Sequence, residues 1–109
     1  MSSRYFVYML RCRGDALYTG ITTDPARRLR EHQSGRKKGG AKYTAARPPE
    51  GFAALWQVED RSAALRLEAR IKALPRSEKL ALVAGEWEPE EGQRQPLPEI
   101  SGTEGKVYN

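Results

Sequence analysis

The chain has 109 residues, one cysteine, one histidine and a net charge of +5. That length holds one small core and excludes a cofactor domain beside a substrate domain. No stretch approaches the roughly 20 apolar residues of a membrane span, and Cys12 alone excludes an internal disulfide and, with only His32 beside it, a structural zinc cage.

The first residues, MSSRYFVYML, have a short apolar run followed by charged RCRGD rather than a small-residue cleavage site, so they do not read as a secretory signal. A reduced, cytoplasmic protein is the expectation, with Cys12 a small buried hydrophobe. Charge is unevenly spread. Residues 86–109 hold six Glu against Arg94 and Lys106, a net of −4, whereas residues 1–85 hold 17 basic and 8 acidic side chains, a net of +9. A basic body of this kind suits a polyanion, and nucleic acid is the usual one.

In chain order, the aromatic and β-branched run RYFVYMLR (4–11) predicts a largely buried strand. RGDA (13–16) is a turn, and LYTGIT (17–22) a second strand, which makes an antiparallel hairpin. Side chains alternate across a strand, so Tyr8 and Tyr18 meet on one face if the register brings them near each other. Gly20 inside this strand suggests a bulge or a close backbone approach. Asp24 before Pro25 is a helix start, with an N-cap side chain and a proline at the first helical position. The helix runs to Gly35, with Leu29 as its clearest inward residue. Arg28 and His32 lie four residues apart and share a face.

Residues 35–51 are rich in Gly, Pro, Lys and Arg and read as a basic loop around Tyr43. FAALWQVE (52–59) is the third strand. Ala64, Leu67, Ile71 and Leu74 recur at helical spacing, which predicts an amphipathic helix ended by Pro75. A third helix follows from RSEKLALVAGEW, with Ser77 as a candidate cap. From residue 86 the composition turns to Glu, Pro, Gly and Gln. The predicted division is therefore a folded domain over 1–85 and a flexible acidic tail over 86–109, from which Trp87, Ile100 and Val107–Tyr108 retain the means to dock. Glu68 lies one residue past Leu67, at the margin of the buried face and four residues before Lys72. Spacing alone leaves it open between an exposed ion pair and a functional carboxylate.

The ordered set Tyr8, Tyr18, Arg28, His32 and Glu68 resembles that of the GIY-YIG endonucleases. The two signature triplets look like FVY (6–8) and YTG (18–20), the arginine motif like RRLREH (27–32), and the acidic helix like ALRLEARIK (64–72). LYTGITTD, AKYT and EDRSAALRLEARIKALPRSEKLAL resemble the small bacterial single-domain branch, the UPF0213 or YhbQ-like group, over residues 4–84. The resemblance implies an α/β (α+β) fold, a three-stranded antiparallel sheet flanked by about three helices. It also implies a site that cleaves phosphodiesters with one divalent cation, Mg²⁺ or Mn²⁺. Tyr8, Tyr18, Arg28, His32 and Glu68 match the catalytic positions, Glu68 the metal-binding one, and Gly20 the glycine closing the second triplet. DNA is the expected partner, RNA is not excluded, and a targeting protein is compatible with the lack of a second domain. Arg36, Lys37, Lys38, Lys42, Tyr43, Arg47 and Lys72 are candidates for contacts to nucleic acid, with Arg76 extending the patch. Some members carry a lysine after the second triplet, where this chain has Ile21, and an asparagine after the acidic helix, whereas the only Asn here is Asn109. The alternative is a module of the same fold that binds nucleic acid, or serves as an adaptor in a repair complex, without efficient cleavage.

Overall fold

The computed structural model describes residues 4–34 and 49–97. Alternating apolar residues commit Tyr5–Cys12 (β1) and Ala16–Thr22 (β2) to an antiparallel hairpin in which Tyr8 faces Gly20 and Leu10 faces Tyr18. The connection Arg13–Asp15 turns through two left-handed residues, Gly14 at φ 78° and Asp15 at φ 62°. Glycine takes that conformation without steric cost and aspartate is among the few residues that tolerate it. Arg76 Nη2 donates to the Asp15 carbonyl at 2.6 Å and ties the turn to the far end of the molecule.

Helix α1 covers Pro25–Ser34. Asp24 caps it as its chemistry predicts, with Oδ1 accepting from the Arg27 N–H at 3.2 Å. Strand β3, Pro49–Val58, pairs with β1 and starts three residues earlier than the sequence suggests, with Pro49 as its first residue. Helix α2, Arg61–Ala73, is capped by Asp60, which accepts from the Ala63 N–H at 2.9 Å. Helix α3, Arg76–Val83, has Pro75 rather than Ser77 at its N-cap position.

The two faces of the sheet carry different clusters. Val7, Met9, Ala54, Trp56 and Val58 pack with Ala64, Leu67, Ile71 and Leu82 of α2 and α3. Tyr8, Leu10, Cys12 and Leu55 pack with Leu29 of α1. A register shift in the β1–β3 ladder, between Met9–Ala54 and Leu10–Phe52, turns Phe52 onto the α1 face although Ala54 and Trp56 lie on the other. Cys12 is fully buried and burial pushes its thiol up to about 11, which makes it a packing residue.

Among the described residues the sheet has four strands, in the order β2-β1-β3-β4, rather than the three expected. The additional strand, Gly92–Arg94 (β4), pairs with Trp56–Val58 of β3 and lies within the segment expected to be a flexible tail. Trp87, Glu88 and Glu91–Arg94 pack against β3 and the helices. Their composition hides this because long-range side-chain contacts hold them. The Arg94 guanidinium lies over the Trp56 ring at 5.1 Å, binds Glu88 through Nε at 2.8 Å and donates through Nη2 to the Leu82 carbonyl at 2.6 Å. Trp56 Nε1 donates to the other Glu88 oxygen at 3.2 Å. Arg70 of α2 makes a parallel clasp, over the Trp87 ring at 5.3 Å and onto Glu91 at 2.7 Å. Gly92 is required by proximity, since a Cβ there would stand 2.9 Å from Val58 Cγ1 and 3.1 Å from the Gln57 carbonyl oxygen. Of the other docking candidates, Ile100 and Val107–Tyr108 lie outside the described residues.

A chain ended after Gly85 loses both clasps and the cover over Trp56, and its Tm should fall by roughly 10 °C or more. Parallel thermal denaturation of this chain and the full-length protein checks this.

Candidate active site

The hairpin register decides where the phenols go. Tyr8 and Tyr18 are diagonal neighbours on the α1 face, with ring centroids 6.3 Å apart. Directly opposite Tyr8 stands Gly20, whose missing side chain is the space the ring uses. A Cβ at position 20 would come within 2.5 Å of Tyr8 Oη and 2.7 Å of Cζ. The close approach suggested by a glycine in a strand is thus an approach by the Tyr8 ring. Tyr8 is buried and Tyr18 half-buried. The Phe52 ring, turned onto this face by the register shift, meets Tyr8 edge-on at 6.1 Å.

From the other side α1 delivers two groups one turn apart. Leu29 seats the helix in the core, and Arg28 and His32 on either side of it reach the phenols. His32 is buried, with Nε2 3.0 Å from Tyr8 Oη and its ring 5.0 Å from that of Tyr18. Burial, reinforced by the Arg28 cation, drives the imidazole pKa down to about 4, with Glu31 opposing. Burial likewise pushes the Tyr8 phenol up to about 12, against a hydrogen bond from Arg28 that pulls it down, while the nearby Tyr18 and Glu68 push it further up. At neutral pH both groups are uncharged, and a single proton lies between Oη and Nε2. For Arg28, burial lowers the pKa, but hydrogen bonds to Glu31 and Tyr8 outweigh it and hold the guanidinium above its ordinary value. It is a permanent cation, with Nη1 donating to Glu31 Oε1 at 3.0 Å.

Glu68 comes from α2. Its side chain is 20% exposed and its Oε2 pairs with Lys72 Nζ at 3.2 Å. Its charge acts on the Tyr8 phenol, so it stands within electrostatic reach of the cluster. Among the described residues no group of three or more His, Cys, Asp or Glu is arranged to hold a metal. One hard carboxylate nevertheless fits Mg²⁺ or Mn²⁺, because such a cation keeps several waters and completes its shell with substrate phosphate oxygens.

A model of the GIY-YIG catalytic domain matches residues 4–81. The chain belongs to the GIY-YIG family. It is similar to a UPF0213 protein of Vibrio cholerae, 49% identical over 88 residues that cover 78% of this chain and 82% of the relative. It is also similar to the UPF0213 protein YhbQ of Salmonella arizonae, 48% identical over 79 residues, with 72% and 76% covered. A solution NMR structure of a UPF0213 protein from Bacillus halodurans is 41% identical, with a TM-score of 0.48 over 74% of this chain and 83% of that one.

In this GIY-YIG domain four of the five candidate catalytic side chains, Tyr8, Tyr18, Arg28 and His32, form one contact cluster, and the fifth, Glu68, acts on it through its charge. Of the candidate nucleic-acid contacts, Lys72 is exposed and pairs with Glu68. Arg36, Lys37, Lys38, Lys42, Tyr43 and Arg47 lie outside the described residues. Two members of the cluster escape sequence reasoning. Glu31 carries a signal in its i+3 spacing from Arg28. Phe52 carries none, since only the register shift turns it toward Tyr8.

Gly20→Ala should cost about 1–3 kcal/mol by overpacking and displace Tyr8 from His32, as chemical denaturation and NMR shifts will register. His32 also has a readable titration. Its folded pKa of about 4 lies below the unfolded 6.5, so the unfolded chain binds the extra proton between these values. Its contribution to stability is complete above pH 6.5 and is lost as pH falls toward 4. The sole histidine should therefore titrate near pH 4 in an NMR experiment, and His32→Gln should flatten the stability slope in that window.

Proposed function

We propose that this protein is a metal-dependent endonuclease that hydrolyses phosphodiester bonds in DNA, in the cytoplasm, on branched or damaged structures in repair or recombination. What carries the proposal is the convergence of Tyr8, Tyr18, Arg28 and His32 on one face of the hairpin, with Glu68 in reach. Hydrolysis needs a positioned water, stabilisation of the charge that builds on phosphorus, and departure of the 3′ oxygen. Arg28 offers the phosphate a guanidinium anchored on the Tyr8 phenol. Tyr18, the less buried phenol, holds the attacking water, as base or positioner. Tyr8, with a pKa of about 12, is too weak an acid to serve as that base at neutral pH, and acts instead as the buried partner of His32. Neutral His32 can accept a proton and pass it on. Glu68 would hold the divalent cation, Mg²⁺ or Mn²⁺, which supplies charge neutralisation at the phosphate and at the departing oxygen. The basic segment, through Arg36, Lys37, Lys38, Lys42 and Arg47, together with Lys72, binds backbone phosphates without strong sequence preference, and Tyr43 stacks on a base or packs on the site.

A second reading, a module that binds nucleic acid with little cleavage, draws on Ile21 in place of a lysine and on the lack of an asparagine before Asn109. Labelled linear, flap and four-way-junction DNA in Mg²⁺ or Mn²⁺ at low salt separates the two. Cation-dependent cutting should fall about 100-fold or more in Glu68→Ala and in Arg28→Ala. Cutting by Tyr18→Phe at the wild-type rate would remove the role given to that phenol. Salt-sensitive binding without cutting, unaffected by Glu68→Ala, would favour the second reading.

A further inference from the structure

The mechanism above gives Glu31 no chemistry, yet its carboxylate stands where an anionic substrate belongs. Oε1 accepts from Arg28 Nη1 at 3.0 Å, and Oε2 lies 4.0 Å from Nη1 of Arg27. The carboxylate is thus shared between two guanidiniums, one of them the group assigned to the scissile phosphate. A carboxylate oxygen and a phosphate oxygen accept from the same guanidinium N–H. Both partners remain within reach of a ligand, Arg28 with 28% and Glu31 with 33% of the side chain exposed. The pair is also weakly held. An i,i+3 ion pair at this exposure adds little to stability. Arg28 keeps its second anchor on Tyr8 when Glu31 lets go.

We propose that Glu31 is a resident stand-in for the substrate phosphate: it occupies Arg28 in the free protein, is displaced when DNA binds, and takes the guanidinium back when the nucleic acid leaves. Glu31 thereby sets the affinity of the site without touching the reacting atoms. This rests on Arg28 as the phosphate contact of the nuclease proposed above. A merely supporting role for Glu31 requires the opposite sign, because loss of a support loosens Arg28 and weakens binding.

The test is the affinity of the full chain for a fluorescein-labelled duplex, by anisotropy at fixed low salt, with EDTA present so that nothing is cut. Glu31→Gln keeps an amide oxygen for Arg28 and removes the charge. It should bind about threefold to tenfold more tightly than wild type. The gain should vanish in the Arg28→Ala background, as a coupling between the two residues demands. Glu59→Gln, an equal change of net charge at an exposed position, should give less than twofold. Weaker or unchanged binding by Glu31→Gln, a gain that persists without Arg28, or an equal gain in Glu59→Gln overturns the proposal and leaves the nuclease assignment standing. Unaltered binding by Arg28→Ala alone removes Arg28 as the phosphate contact, and the role of Glu31 with it.

Discussion

The Tyr8 ring fills the space that Gly20 leaves empty across the hairpin, and the geometry of the site follows from that contact. With any side chain at position 20 the phenol would have to leave the sheet surface, because a Cβ would lie 2.5 Å from its oxygen. With glycine there, the phenol is fixed at a depth where His32 can meet it at 3.0 Å and Arg28 can bind it. Its pKa and that of His32 then move apart for one reason, burial, to about 12 and about 4. A buried pair of uncharged groups is cheap to maintain, since neither has to be desolvated as an ion.

The register shift between β1 and β3 separates two tasks that would otherwise compete. On the α2 and α3 face, regular alternation builds a dry core of Val7, Met9, Trp56, Leu67, Ile71 and Leu82. On the α1 face, the shift brings Phe52 against Tyr8 and surrounds the polar cluster with apolar walls. The clasps of Arg94 on Trp56 and Arg70 on Trp87 close the edge of the sheet beyond β3. They place stabilising charge at the β4 edge of the sheet.

Much of this was legible in the sequence because the signals are local. Apolar alternation marks β1 and β2, Asp24–Pro25 marks the start of α1, and the Ala64, Leu67, Ile71 spacing marks α2. The Arg28–His32 spacing puts both groups on one helical face, and the glycine at 20 announces a close approach without naming the partner. What was not legible depends on contacts distant in sequence. Gly92–Arg94 has no strand pattern and pairs only because Glu88, Trp56 and the Leu82 carbonyl hold Arg94. Phe52 and Ala54 share a strand parity and yet lie on opposite faces. No propensity records a register shift set by the partner strand.

The distribution of charge around the cluster has its own logic. The interior pair, Tyr8 and His32, is neutral, and the charged groups of the site stand outside it, each beside an opposite charge on its own helix: Arg28 with Glu31, Glu68 with Lys72. Each pair spans one turn, so the partner is supplied by helix geometry and needs no tertiary contact. Under the function proposed above, a site for a polyanion and a cation carries unlike charges close together before either ligand arrives. Without such partners those charges would lose solvation near a buried phenol with less in return. Short-range intrahelical partners keep that cost low, and their weakness keeps them exchangeable. A deeper or better-packed ion pair would stabilise the free protein more and would hold its charges too firmly to give them up.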